Sequence, residues 1–379
     1  MLKIILLHIL RVCAPNIRPA VYRSDVHLFA ITFAAMEERT EINSLGEFGL
    51  IDYLTRNNET VQSSTVLSVG DDAAVIDQFG RQTVVSTDLL LEGVHFDLMY
   101  TPLKHLGYKA VAVNLSDIYA MMATPTQVTV AIGISNRFSV EALEELYDGI
   151  YAACRQYNVD LVGGDTSTSL KGLVISITAI GEVAPGKFVT RSGARENDLI
   201  CVSGDLGAAY LGLQLLEREK RIFLENNAVQ PDLQEQSYLL RRILKPEPRA
   251  DIVEWLTEHQ VMPTSMIDIS DGLSSELLHI CKSSDVGCVL YEDKIPVSDE
   301  SRQIGMQFNI PTVTCALSGG EDYELLFTIR QEDYEKVARN NDISVIGYIA
   351  PKEQGTVMLT PSGNKHQLVA QGWNAFDKK

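Results

Sequence analysis

Acidic residues gathered at the ends of apolar, β-branched stretches are the groups in this chain best suited to chemistry. Gly70-Asp71-Asp72 follows Thr65 to Val69, and Ser86-Thr87-Asp88 follows Thr83 to Val85. Alternation and composition predict two strands joined by a turn around Gln78 to Arg81, which would carry three carboxylates to one edge of a sheet. Like charges held that close repel, and desolvation adds to the cost, so a hard cation is the expected counterpart. Oxygen-only donors suit Mg²⁺, which keeps several waters and bridges protein carboxylates to substrate phosphates. Gly-Asp pairs are also ordinary turn chemistry, so on this stretch alone a capping role for Asp71, Asp72 and Asp88 stays open.

The elements that follow repeat the theme. Pro102 opens a helix expected to reach about Met122, because a missing N–H costs nothing at a first helical position. Ala110, Val113, Asp117 and Met121 share one stripe of it, with Asn114 beside them. A carboxylate on an apolar stripe takes a partner or reaches water at the rim, so Asp117 is a candidate ligand for the same cations. Gln127 to Ser135 alternates as a strand, and Ser139 to Tyr157 reads as a helix capped by Ser139. Asp160 to Val162 reads as a short strand ending in Gly163-Gly164-Asp165-Thr166-Ser167. Glycines there let the backbone approach a phosphate, and Asp165 offers another ligand. Leu173 to Ile180 is a further strand, after which Pro185-Gly186 marks a domain boundary.

In the second half, Arg191 is the strong cation nearest in sequence to the acidic loops, suited to a nucleotide phosphate or to a surface ion pair. Leu199 to Val202 reads as a strand leading through Ser203-Gly204-Asp205-Leu206-Gly207 to a helix from Ala208 to about Lys220. That turn matches neither a P-loop nor a dinucleotide fingerprint, which disfavours Walker-type and Rossmann-type enzymes. Gln230 to Leu244 and Ala250 to Gln260 read as helices. Asp268 lies inside an apolar strand, while Asp271 either joins it in a site or caps a helix from Leu273 to Lys282. Ser318-Gly319-Gly320-Glu321-Asp322-Tyr323-Glu324 runs into the strand Leu325 to Ile329, bringing Glu321 or Asp322 to its mouth as substrate contact or turn residue.

The whole composition bounds these readings. A chain of 379 residues with 45% hydrophobic and 22% charged content suits a globular protein of two domains. A net charge of −18 argues against nucleic acid or an anionic membrane as main partner, because both reward Lys and Arg. The six cysteines form no Cys-x-x-Cys pair and read as reduced, mostly structural thiols of a cytoplasmic protein. Met1 to Leu10 is apolar but well short of the ~20 residues of a membrane span. Residues 1–35 are expected to be a non-core extension, with Met36 as the native start.

Taken together, Leu45 to Asp52, Gly70 to Asp72, Ser86 to Asp88 with Leu91 to Phe96, Asn114 to Asp117, Gly163 to Asp165, Arg191 to Ala194, Asp268 to Leu273, Ser318 to Leu326 and Gly372-Trp373 resemble the thiamine-monophosphate kinase family, from about residue 45 onward. The resemblance implies an α/β (α+β) fold of the aminoimidazole ribonucleotide synthetase type, with an ATP/Mg-binding domain over residues 36–185 and a completing α/β domain over 186–379. It also implies a homodimer whose N-terminal domains pair into a shared β-barrel. The implied reaction is transfer of the γ-phosphate of ATP to thiamine monophosphate, assisted by several Mg²⁺ ions, as the last step to thiamine diphosphate.

Carried over by position, Asp72, Ser86, Thr87, Asp88, Asp117, Asp165, Asp268 and Asp271 would hold magnesium. Tyr147, Gly164, Asp165, Arg191 and Ser270 would meet ATP, and His95, Glu321 and Trp373 would contact thiamine monophosphate. Asp71 receives no role by this transfer. The residue types agree with such chemistry, since phosphoryl transfer needs positioning and charge neutralisation more than a covalent nucleophile. The alternatives are another ATP-using enzyme of the same superfamily and a catalytically silent homologue that binds metal or nucleotide.

Overall fold

The computed structural model describes residues 63–370 apart from 68–69, 79, 227–232 and 234–235. The Leu45 to Asp52 segment, Met36 with the preceding extension, and Trp373 lie outside the described residues. Everything described belongs to one compact unit, Asn57–Trp373.

Two sheets carry it. The first contains β1 (Thr65–Leu67), β2 (Ala74–Gln78), β3 (Arg81–Leu91), β4 (Thr124–Ile134), β5 (Asp160–Thr168) and β6 (Val174–Val183), in the order β1-β2-β3-β6-β4-β5. Its β4–β5 pairing is parallel and its other pairings are antiparallel. Strand β6 shows why one face is covered: Ile175, Ile177 and Ala179 are buried, and Ser176 and Thr178 alternate with them.

Against that face packs α1 (Leu103–Ala120), in which every residue from Leu106 to Ser116 is buried. Helix α2 (Val140–Tyr157) lies against α1 so closely that a Cβ on Gly107 would meet the Leu146 carbonyl at 1.9 Å, and one on Gly149 the Lys104 carbonyl at 1.9 Å. As expected, α2 is capped by Ser139, whose Oγ accepts the Ala142 N–H at 3.3 Å.

The second sheet has seven strands, β7 (Leu199–Ser203), β8 (Ser265–Asp268), β9 (Gly287–Tyr291), β10 (Leu325–Ile329), β11 (Ile343–Ala350), β12 (Thr356–Leu359) and β13 (Lys365–Gln367), ordered β13-β12-β9-β11-β7-β10-β8. Around it run α3 (Ala208–Glu225), α4 (Ser237–Leu244), α5 (Ala250–Glu258), α6 (Leu273–Ser284), α7 (Asp299–Phe308), α8 (Thr312–Ser318) and the short α9 (Tyr334–Val337). All of β10 is buried, the mark of a strand covered on both faces. One face of this sheet shares a continuous core with the first, joining Val84, Leu115 and Ile177 to Cys201, Met266 and Phe327. The opposite face packs Ile200, Val202, Ile267 and Leu326 against Leu273, Leu277 and Ile280 of α6.

Three local expectations change. The turn near Gln78 to Arg81 exists, but it joins β3 to β2, a strand the sequence reading passed over. Ser86-Thr87-Asp88 lies in the middle of β3 rather than at its end, because Gln82 through Leu91 all find ladder partners on β6. Likewise Gly163 to Thr168 continues β5, paired with Thr129 to Ile134, instead of forming a loop. Cys154, Cys201, Cys281, Cys288 and Cys315 are buried free thiols, and Cys13 lies outside the described residues. No helix among the described residues is long and apolar enough to cross a membrane.

Candidate active site

Helix α1 presents polar groups to both sheets. Towards β3, the fully buried Asn114 donates to the Ala110 carbonyl at 2.9 Å and accepts the Asp88 N–H at 2.9 Å. One turn later Asp117 accepts a hydrogen bond from the Ser86 hydroxyl at 2.5 Å. Ser86 and Asp88 share this face because strand side chains alternate. Thr87 therefore faces the other way, where its hydroxyl meets that of Thr178 at 2.8 Å. Towards the second sheet, Ser116 donates to Asp268 at 2.5 Å and Lys109 forms an ion pair with Glu321.

The turn before β2 supplies Asp71 and Asp72. Oxygen atoms of Asp72, Asp117 and Asp268 come within 4.8 Å of one another. Arg191 donates from Nη2 to Asp72 at 2.5 Å, while its backbone N–H meets both Asp71 oxygens at 3.1 and 3.3 Å. Asp71 also accepts the Asp72 N–H at 3.0 Å, so its carboxylate ties the Arg191 strap to the acidic turn.

The electrostatics of this cluster are those of too many negative charges. Burial, then Asp88, Asp268 and Asp72, raise the Asp117 carboxyl well above the ordinary range. Burial, followed by Asp72, pushes Asp268 up to about 7. Asp88 rises to about 6 through burial, Glu321 and Asp72, and Asp71 to about 6 through burial and Asp72. Burial also raises Asp72, against the opposing pull of Arg191. Asp72 Oδ2 is buried without a hydrogen-bond partner. A hard divalent cation fits this set, because it would neutralise the excess charge and satisfy that orphaned oxygen.

A second loop closes beside the cluster. The Glu321 N–H bonds the Ser270 carbonyl at 2.7 Å, the Tyr323 N–H bonds that of Ile269 at 2.8 Å, and the Ile269 N–H bonds that of Glu324 at 2.8 Å. Glu321 and Tyr323 hold left-handed backbone angles, φ 63° and 51°, which non-glycine residues adopt only where their surroundings enforce them. Their neighbours do the enforcing. Asp322 accepts the Gly207 and Ala209 N–H groups at 2.7 and 3.3 Å, at the start of α3. Glu324 accepts from Arg242, Arg249 and Ser203 at 2.7, 2.6 and 2.6 Å. Buried Glu276 accepts the Asp271 N–H at 2.9 Å, and α6 has no side-chain cap, so Asp271 is not its cap.

A separate groove of about 510 Å³ lies at the β5 edge, lined by Tyr147, Leu161, Gly163, Gly164, Asp165 and Thr166 among others. A Cβ on Gly164 would meet the Val130 carbonyl at 1.9 Å, so close strand approach requires glycine there. Asp165 is level with Ala131 on β4, and β6 separates β4 from β3. Three strand spacings, about 14 Å along the sheet, thus lie between β5 and the strand carrying Asp88.

Residues 70–183 match the family model for AIR synthase related protein, N-terminal domain. The thiamine-monophosphate kinase of Bacillus subtilis (strain 168) is 33% identical over 339 residues, covering 88% of this chain and 100% of its own. That of Aquifex aeolicus (strain VF5) is 34% identical over 328 residues, covering 86% of this chain and 99% of its own. The chain belongs to the thiamine-monophosphate kinase family. A solved structure described as AaThiL complexed with AMPPCP and TMP superposes with a TM-score of 0.76 at 31% identity, covering 89% of this chain and 99% of that one.

Among the positions that the resemblance to thiamine-monophosphate kinase singles out, the structure gathers Asp72, Ser86, Asp88, Asp117, Arg191 and Asp268 around one point. Ser270, Asp271 and Glu321 adjoin through the paired loops. Thr87 faces the opposite side of the sheet, and Tyr147, Gly164 and Asp165 line the distant groove. His95, in the turn after β3, accepts the Leu91 N–H on Nδ1 at 2.9 Å. Trp373 lies outside the described residues. Sequence reasoning passed over Lys109, although Lys109 and Asp117 are the two charged residues between Tyr108 and Ala120.

Proposed function

We propose that this protein transfers the γ-phosphoryl group of ATP to the phosphate of thiamine monophosphate, giving thiamine diphosphate and ADP. The observation that carries the reading is the meeting of Asp72, Asp117 and Asp268 within 4.8 Å, beside Arg191, in a chain of this kinase family. Asp72, Ser86, Asp88, Asp117, Asp268 and Asp271 are the proposed holders of Mg²⁺ at this cluster, whereas the Thr87 hydroxyl faces away from it and Asp165 would join only across a dimer. Bound there, the metal supplies charge neutralisation and alignment of the phosphate oxygens.

The chain's own groups orient the reactants. Arg191, its backbone fixed by Asp71, takes an ATP phosphate; Tyr147, Gly164 and Ser270 complete that site. His95, Glu321 and Trp373 receive thiamine monophosphate. An oxygen of its phosphate forms the new bond to the γ-phosphorus as the bond to the β,γ-bridging oxygen breaks, and the electron pair leaves with ADP. Direct in-line transfer is proposed because phosphoryl transfer needs positioning and charge neutralisation more than a covalent nucleophile.

The active form is proposed to be a homodimer in the cytoplasm. β5 is almost wholly exposed, and an uncovered edge of this length invites pairing with a second copy. Closing a barrel through this region would bring the Tyr147 and Asp165 groove of one copy towards the acidic cluster of the other. The proposed division into domains 36–185 and 186–379 is supported by the two sheets lying on either side of Pro185-Gly186 in the chain.

The test is an assay of the protein with ATP, Mg²⁺ and thiamine monophosphate, scoring thiamine diphosphate by chromatography, beside Asp88→Asn and Asp117→Asn. Product from the parent and its loss in both variants is the expected result. ATP binding without product would reassign the substrate within the same fold.

A further inference from the structure

We infer that Lys109 is a further substrate-binding residue, whose ammonium, held by Glu321, receives the phosphate of thiamine monophosphate; the inference rests on the function proposed above. Lys109 is only 4% exposed, yet the structure places it on the polar side of α1 that faces the second sheet. Ser116, seven positions on, uses the same side of the helix to reach Asp268. The two contacts therefore point into one cleft, about two helical turns apart.

Structural need does not account for a lysine there. A buried ion pair contributes little net stability, and an apolar pair of similar volume would hold α1 to the 318–324 loop as well. Among the described residues, the cations that pair with carboxylates around the cluster are Arg191 and Lys109. Arg191 is committed to the other side, through its guanidinium to Asp72 and through its backbone to Asp71. Among the described residues, the cation paired with Glu321 is Lys109, so a phosphate arriving there would find that ammonium beside it. The lysine ammonium carries three N–H groups, and one bond to Glu321 leaves donors for an anion. Glu321 is itself 28% exposed, so the pair opens towards solvent at the end from which a ligand enters.

The discriminating experiment titrates thiamine monophosphate and unphosphorylated thiamine into the parent, Lys109→Met, Lys109→Arg and Glu321→Gln by calorimetry, with Mg²⁺ and AMPPCP present. Loss of a charged hydrogen bond predicts a roughly 10- to 100-fold weaker affinity of Lys109→Met for thiamine monophosphate, with thiamine affinity unchanged. Lys109→Arg should recover part of the loss. Glu321→Gln should keep the parent's preference for the phosphorylated ligand, whatever it does to both affinities. An unchanged preference in Lys109→Met, or an equal fall in Glu321→Gln, would reduce the pair to a structural bridge and overturn the inference. Should Lys109→Met fail to fold, the Lys109→Arg and Glu321→Gln comparison still decides, because a bridge predicts the same preference in both. A parent that shows no preference for the phosphate sinks the inference, whereas a parent that shows it but makes no thiamine diphosphate sinks the proposed reaction alone.

Discussion

Asp117 has burial and three neighbouring carboxylates raising its pKa, with only the Ser86 hydroxyl opposing them. Such a group makes the metal-free fold less stable in proportion as it is charged. Asp117→Asn should therefore raise the melting temperature of the metal-free protein, remove the stabilisation given by added Mg²⁺, and lower kcat by roughly 100-fold or more. Calorimetry with and without chelator, alongside the assay, reads all three. The pH dependence follows from the same groups. Asp71 and Asp88 titrate at about 6 and Asp268 at about 7 in the fold, against 3.8 for an ordinary Asp. The folded state thus holds extra protons, so the stability these groups contribute is complete below about pH 4 and is lost as pH rises through 6 to 7. Between pH 5 and 8 the metal-free protein should lose thermal stability on this account, and Mg²⁺ should bind more tightly at the upper end with proton release. A melting temperature in chelator that rises steadily from pH 5 to 8 would contradict this.

The site stands on α1, and α1 is held by its backbone contact with α2. Because a Cβ on Gly149 would meet the Lys104 carbonyl at 1.9 Å, Gly149→Ala should destabilise by about 1–3 kcal/mol or more, read as a lower urea midpoint with an unchanged slope. An unshifted midpoint would mean that the helices separate freely. At this scale the sequence was legible where one face of an element is buried. The Ser139 cap of α2, the alternation of β4 and the strand from Leu173 to Ile180 stand in the structure, whereas α1 is buried on all sides from Leu106 to Ser116. It was least legible at β5, where Gly163 to Thr168 are exposed and no alternation separates a strand from a loop. Strand β2 was lost in a similar way, since Asp77 and Gln78 at its end are exposed and it is only five residues long. The same rule explains why the acids of β3 looked like a strand end: polar residues facing a site interrupt the apolar pattern without interrupting the ladder.

For the molecule as a whole, the distance between Asp165 and Asp88 along the sheet gives the proposed dimer a direct test. If one site draws on both copies, inactive Asp88→Asn and Asp165→Asn proteins, mixed and allowed to exchange, should regain roughly a quarter of the parent activity, because half the dimers are mixed and each holds one intact site. No recovery after proven exchange would place each site within a single chain.

The amino-acid sequence by itself determined the acidic motifs, the alternation of helices and strands, the candidate ligand Asp117 and the family resemblance, because each depends on residue type and spacing within a short window. Tertiary structure alone decided which motifs meet. Arg191 reaches Asp72 across 119 positions, Ser116 reaches Asp268 across 152, and Lys109 reaches Glu321 across 212. No local period encodes such pairs. They arise from strand order and from one helix packed between two sheets, where burial strips water from carboxylates and turns separate turn residues and a mid-helix Asp into one charged site.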